Sequence, residues 1–246
     1  MINGSAVRFI TSADFEKFSQ TCLNLGELTT PSVPKDAVAA IFDLDGFTAF
    51  CKQIDPQLGV PSFMNLFLSW LIGQLRKTAV VKELVDGYHL RHPLPFFTKF
   101  LGDGILVLWD VEAMNRAVLN IINTCMQTVL AYEHFRKTLV GSLSAVPKSL
   151  RCGVARGRVY SVGSGYDYIG SCINMASRMQ KMPGTLFAFN IRGFDLSAHP
   201  GPLFKDYMVV KKVRIRGIGD DELVAVPKIY FSHMAPTDAA SYEDPD

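Results

Sequence analysis

The chain has 246 residues, nearly half of them hydrophobic and a fifth charged, with a net charge of +2. That is enough chain for a well-buried core, in one large domain or two small ones, and the near-neutral balance gives no global field for nucleic acid or an anionic membrane surface. Five cysteines (Cys22, Cys51, Cys125, Cys152 and Cys172), never spaced as CxxC, argue against a disulfide framework or a zinc site and fit reduced thiols in a cytoplasmic protein.

Residues 1–36 mix polar and apolar residues and run into Pro31-Ser32-Val33-Pro34, which reads as an N-terminal arm with a linker. Its first five residues lack the basic and apolar regions of a secretory signal. Ala37 to Leu44 is a short apolar run and predicts a buried strand. Pro61 is placed to open a helix, and Phe63, Leu66, Phe67, Trp70, Leu71, Gln74 and Leu75 follow at helical spacing, which predicts an amphipathic helix over 61–82. Asn65, Ser69, Gly73 and Gln74 break the longest apolar run, so no run of ~18 residues is expected to span a bilayer.

His89 and His92 fall in a loop-like stretch and are expected to be solvated. Phe96 to Leu101 and Ile105 to Trp109 flank Gly102-Asp103-Gly104, a hairpin pattern. A second long helix is expected over 112–139. Leu150 to Val162 reads as a strand whose Gly153 and Gly157 allow another backbone to come close. Ser171 to Met182 looks helical and stops at Pro183-Gly184. Thr185 to Ile191 is strand-like, residues 206–216 and 222–231 read as a final strand pair, and the polar tail 233–246 is expected to fray. The order predicts an α+β fold: a ferredoxin-like βαββαβ core with helices on one face of a mostly antiparallel sheet, plus an extra C-terminal helix and strands. No internal repeat is visible.

Two stretches carry an aspartate at the end of an apolar run: Phe42-Asp43-Leu44-Asp45-Gly46-Phe47-Thr48 and Lys99-Phe100-Leu101-Gly102-Asp103-Gly104. A buried carboxylate is costly without a cation. On neighbouring strands, Asp43 and Asp103 could share two hard divalent ions with the Leu44 carbonyl as a further ligand. Each taken alone is equally an Asp-Gly turn residue. Asp45 is left unassigned, because Gly46 places the end of the strand there. Asn174 and Arg178 are four apart on the expected helix and share a face. Together they suit the equatorial charge of a pentacoordinate phosphorus, or Arg178 meets a structural carboxylate on an otherwise buried helix. Lys212, Arg214 and Arg216 alternate along a strand into Gly217-Ile218-Gly219, either a polyphosphate contact or a solvated edge.

These four stretches, with Tyr166-Asp167-Tyr168-Ile169-Gly170-Ser171-Cys172-Ile173-Asn174-Met175-Ala176-Ser177-Arg178-Met179 as the third, resemble the successive signatures of class III nucleotide cyclases. They occur in family order within residues 37–232. The resemblance implies the class III cyclase fold and two Mn²⁺ or Mg²⁺ ions per site on Asp43, Leu44 and Asp103. It implies Asn174 and Arg178 as the transition-state pair. Lys99, Asp167 and Arg216 would bind substrate, with Phe47 and Thr48 beside the metal aspartates. It also implies a head-to-tail homodimer with each site at the interface and a nucleoside triphosphate as partner, with no nucleic acid and no membrane.

Lys99 as donor and Asp167 as acceptor fit adenine, uracil or cytosine edges alike. The aromatics around them, Tyr88, Phe96, Phe97, Phe100, Tyr166 and Tyr168, would shorten a base pocket. Together with the absence of a sensor module, this resembles the bacterial anti-phage pyrimidine cyclases that make cyclic UMP or cyclic CMP. UTP is the expected substrate, with adenylate cyclase and an inactive nucleotide-binding module as the alternatives. The Gly-Gly-Asp/Glu-Glu-Phe turn of diguanylate cyclases is absent.

Overall fold

Every side chain from Ala37 to Phe42 is buried, so the first strand must be covered on both faces. The computed structural model describes residues 11–16, 19, 23–52, 56–83, 89–91, 93–112, 118–139, 141, 143, 146–196 and 206–245. Its elements in chain order are α1 (Ser12–Glu16), β1 (Pro34–Asp45), α2 (Phe47–Phe50), α3 (Pro56–Ala79), β2 (Val80–Glu83), β3 (His89–Arg91), β4 (Phe97–Leu101), β5 (Gly104–Asp110), α4 (Val118–Thr138), β6 (Ser149–Val162), β7 (Asp167–Ile169), α5 (Ser171–Met179), β8 (Phe187–Asn190), β9 (Met208–Ile215) and β10 (Gly219–Pro227). Two short helices follow, Lys228–Ser232 and Pro236–Ala239.

The main sheet runs β4-β5-β1-β6-β8-β10-β9, with β7 on β6, and β2 pairs β3 in a separate ribbon. All pairs are antiparallel except β6–β8. This is the expected βαββαβ arrangement with additions. The two core helices, α3 and α4, share one face as expected, and the extra C-terminal helix α5 covers the other. Val38, Ala40, Phe42 and Leu44 point into a core with α3 and α4. Ala37, Ala39 and Ile41 point the other way, onto Cys172, Met175, Ala176 and Met179 of α5. The reason is the strand's period: apolar residues at both parities leave no face for water.

The α3–α4 layer is aromatic. Phe63, Phe67, Leu71 and Leu75 are buried at four-residue spacing, and Trp70 stacks on Phe135 with ring centroids 4.7 Å apart. Each such fully buried side chain contributes about 1.5–3 kcal/mol. Helix α3 starts at Pro56, so Pro61 lies inside it rather than at its start; only the weakly bonded first turns tolerate this. Gln57–Ala79 is, contrary to expectation, long and apolar enough to cross a membrane by length and composition alone, although its Phe63-to-Leu75 stripe belongs to the core.

Other boundaries shift. Strand β10 stops at Pro227, which begins the helix Lys228–Ser232 where continued strand was expected. His89 is on β3 rather than in a loop, whereas Tyr88 and His92 lie outside the described residues, as do the first residues of the helix expected from 112. Cys51, Cys125, Cys152 and Cys172 are free thiols. The C-terminal tail does not fray. Lys212 and Glu243 exchange two backbone hydrogen bonds of 2.8 Å, and the buried Tyr242 donates from its hydroxyl to the Pro183 carbonyl at 2.7 Å. A tail that caps a sheet edge loses its freedom to those bonds.

Gly153 shows why α5 can lie on β6. A Cβ there would stand 2.1 Å from the Ala176 carbonyl oxygen and 2.2 Å from the Gln180 nitrogen. Helix backbone rests on strand backbone, and any side chain would lift α5 off the sheet. Gly153→Ala is expected to lower stability by about 1–3 kcal/mol or more, read by denaturant unfolding; unchanged stability would mean that α5 is not seated this closely.

Candidate active site

Strand β1 carries Asp43 out of the core. It shares parity with Ala39 and Ile41, so its carboxylate emerges on the α5 face. Strand pairing places Asp43 opposite Gly104 on one side and Arg151 on the other. A Cβ on Gly104 would lie 3.5 Å from Asp43 Oδ1, an ordinary contact, and 3.2 Å from the Phe42 carbonyl oxygen, a tight one. Gly102, at φ +87°, turns the β4–β5 hairpin and sets Asp103 at its tip, half-buried. Positive φ at the first central residue alone matches a II′ turn, which favours glycine.

The Asp43 carboxyl is pushed above the usual carboxylate range, first by burial and then by the negative charge of Asp103; Lys181 and Arg151 pull it back. The charge of Asp103 is therefore close enough to oppose the ionisation of Asp43. Among the described residues no group of three His, Cys, Asp or Glu side chains forms a metal cluster. A crowded carboxylate pair fits hard cations that take their remaining oxygens from backbone, water and substrate. Leu44 buries its side chain on the opposite face, which leaves only its backbone for such a role. Gly46 (φ +83°) ends the strand and starts α2; Phe47 is half-buried and Thr48 exposed there.

Two residues near Asp43 escaped the sequence reading. Arg151 faces it across the β1–β6 ladder, its Nη2 lies 3.6 Å from Asp45 Oδ1, and its Nε is buried without a hydrogen-bond partner. Lys181, just past α5, adds a second positive charge. The parity of Arg151 within Leu150–Val162 was the available signal, but register is needed to see what it faces. Strand β1 also runs through Asp45 rather than ending before it, and Ser149 Oγ donates to Asp45 Oδ2 at 3.4 Å.

Lys99 and Asp167 are brought together. They form an ion pair between β4 and β7, and the Tyr168 backbone N–H donates to Asp167 Oδ1 at 2.8 Å. Behind them the Tyr168 ring meets Phe96 and Phe97 edge-on, with centroids 5.3 and 4.9 Å apart. The wider crowding is not seen: Phe100 is 46% exposed because it points away from the face that Phe97 and Lys99 share, and Tyr166, 65% exposed, lies in the turn before β7 with its ring beside Gly26.

Asn174 and Arg178 are exposed together on α5, whose buried stripe is Cys172, Met175, Ala176 and Met179. The helix is amphipathic rather than wholly buried, so Arg178 needs no internal carboxylate. Asn174 lines a cavity of about 320 Å³ with Arg156, Asn190, Arg192 and Gly217. Arg216 is exposed on the adjoining β9–β10 turn. Of the alternating cations before it, Lys212 and Arg214 lie 3.7 and 2.8 Å from Asp221 and Asp220.

The Arg216 turn does not meet the aspartates within one chain. Four ladders separate β1 from β9, about 19 Å at ~4.8 Å per strand. The strand directions also put the Arg216 turn at the end of the sheet opposite Asp43.

No protein-family model matches the sequence, and no curated protein does. Solved structures share its fold. The guanylyl cyclase Cya2 aligns at 18% identity over 80% of this chain and 94% of its own, with a TM-score of 0.60. The adenylyl cyclase CyaB from P. aeruginosa aligns at 16% over 80% and 95%, with a TM-score of 0.56. The catalytic core of a rhodopsin-guanylyl cyclase with converted specificity, in complex with ATPαS, aligns at 16% over 80% and 98%, with a TM-score of 0.50. The fold is that of class III cyclase catalytic domains.

Asp43 provides a thermodynamic test. A carboxyl whose folded-state pKa is raised contributes stability that is present below its unfolded value and lost as pH rises through the folded one. Above the ordinary carboxylate range Asp43 therefore costs the metal-free protein stability. Asp43→Asn is expected to raise the metal-free thermal midpoint at pH 7 by a few degrees, with the gain vanishing in acid. Mn²⁺ should raise the midpoint of the wild type and leave that of the variant unmoved. A lower midpoint for the variant at pH 7 would contradict this.

Proposed function

We propose that the protein is a nucleotide cyclase that converts a nucleoside triphosphate, UTP by preference, into the 3′,5′-cyclic monophosphate and diphosphate. The observation that carries this reading is Asp43 facing Arg151 across one ladder, with the charge of Asp103 beside it, on a class III cyclase fold. Asp43, Asp103 and the Leu44 carbonyl would hold two Mn²⁺ or Mg²⁺ ions, which when bound neutralise the triphosphate and acidify the ribose 3′-hydroxyl.

The remaining roles belong to the chain. Arg151 offers its guanidinium to phosphate oxygens beside the aspartates, with Phe47 and Thr48 lining the same turn. Lys99 donates to an acceptor on the base edge and Asp167 accepts from a donor. The ribose 3′-oxygen bonds to the α-phosphorus, the α-phosphorus–oxygen bond to the β-phosphate breaks, and diphosphate leaves. Charge rises on the non-bridging oxygens, where Asn174 and Arg178 of the partner subunit donate. Arg216 of the partner subunit meets the polyphosphate. The opposed corners held by Asp43 and the Arg216 turn support this division: a head-to-tail homodimer would join one chain's aspartates to Asn174, Arg178 and Arg216 of the partner subunit and make two equivalent sites.

The aromatic wall of Phe96, Phe97 and Tyr168 behind Lys99 and Asp167 supports a single-ring base, and hence cyclic UMP as a second messenger in anti-phage defence. A second reading, adenylate cyclase, is favoured by the polarity of the Lys99–Asp167 pair, which matches the N1 and N6 edge of adenine equally well.

Purified protein with Mn²⁺ and each of the four nucleoside triphosphates in turn is expected to yield mainly cyclic UMP. Dominant cyclic AMP would select the second reading, and no cyclic product from any of them would overturn both. Asp43→Ala or Asp103→Ala should lower turnover at least about 100-fold while the fold is retained. Mixing Asp103→Ala chains with Arg178→Ala chains should restore part of the activity, because one of the two mixed sites is then intact; no rescue in verified heterodimers would rule out a shared site.

A further inference from the structure

Glu222 is a buried carboxylate with no role in the chemistry above. It is 5% exposed, where an ionised carboxylate persists only if its oxygens are bonded. Both are. Oε2 accepts from Asn190 Nδ2 at 2.9 Å, and Oε1 accepts from Arg192 Nη2 at 2.7 Å. The Asn190 side chain is held in turn, since its Oδ1 accepts from the Arg192 backbone N–H at 2.9 Å. Glu222 also presses on the hairpin that carries Arg216. A Cβ on Gly219 would stand 2.9 Å from Glu222 Oε1, and the β9–β10 register shifts between these two residues.

The carboxylate thus ties the end of β8 to the base of the β9–β10 turn. Both border the cavity that Asn174 lines: Asn190 and Arg192 on one side, Gly217 and Ile218 on the other. The Arg192 side chain is 74% exposed, so its guanidinium is anchored through one nitrogen while the rest of the group faces solvent at the mouth of the cavity.

We propose that Glu222 is a positioning residue that presents Arg192 and the Arg216 turn, beside Asn174, as a pre-formed contact for the polyphosphate of the substrate and for the diphosphate product. This deepens the cyclase reading and rests on it. Preorganisation is the physical content. A guanidinium and a turn already held in place lose little freedom when an anion arrives, whereas the same groups released would bind it more weakly. Pure electrostatics predicts the reverse, because a buried negative charge beside the site repels phosphate, and removing it would tighten binding.

The two signs separate in Glu222→Gln, which keeps the volume and removes the anchor. Calorimetry of Mn²⁺-loaded protein with inorganic diphosphate is expected to show about tenfold weaker binding, the range of one charge-assisted hydrogen bond. Steady-state kinetics should show a similar rise in KM with kcat changed less than about threefold. Arg192→Ala should do the same, and the double variant should add little to either. A stability loss with diphosphate binding unchanged would reduce Glu222 to a structural group and overturn the proposal, as would tighter binding. A wild type that binds diphosphate yet forms no cyclic product would sink the cyclase reading while leaving the diphosphate contact to be judged by the same titration.

Discussion

A carboxylate delivered to the rim of a doubly buried strand is the constraint on which the site depends. Strand β1 is sealed by α3 and α4 on one face and by α5 on the other, so Asp43 has little water to solvate it as it leaves the core. Asp103, across the β4–β5 hairpin, makes ionisation harder still, and Arg151 and Lys181 compensate only in part. A pair of carboxylates in that position is costly to a protein with nothing to bind, and it accounts for a demand for cations better than any single contact does.

The sheet then imposes a division of labour. The strand order puts the aspartates near one edge and the cationic β9–β10 turn at the other, at opposite ends of their ladders. No hinge within a continuously paired sheet brings them together. The proposed head-to-tail pairing of two copies would do so, since each presents the part that the other lacks. The β6 strand with α5 upon it joins the two halves. Its Gly153 lets α5 sit backbone to backbone, so that Asn174 lies in the first half of the helix and Lys181, whose charge reaches Asp43, just past its C-terminal end.

Much of this was readable one residue at a time. The apolar run 37–44, interrupted only at Asp43, announced a buried strand, Gly102-Asp103-Gly104 a hairpin, and Gly153 a close backbone approach; the structure bears out all three, whereas Gly157 meets the Cys172 side chain rather than backbone. Lys99 and Asp167, 68 positions apart, were paired by resemblance and meet in space. What failed did so for identifiable reasons. The tail looked polar because its anchors are few, namely Tyr242 and the backbone of Glu243, and a sheet edge in need of a partner does the rest. Arg151 was passed over because its neighbours along the chain say nothing of Asp43 opposite.

The chain by itself determined the local grammar: which segments alternate or repeat, where glycine permits a turn, and which polar residues stand among apolar ones at a cost. These follow from backbone sterics and desolvation, which act over a few residues. Only the tertiary structure decided which charges face one another, that Glu222 is buried with both oxygens bonded, and that the Arg216 turn lies at the corner of the sheet opposite Asp43. Strand order and register are set by the sum of many weak long-range contacts, and no short stretch of sequence contains that sum.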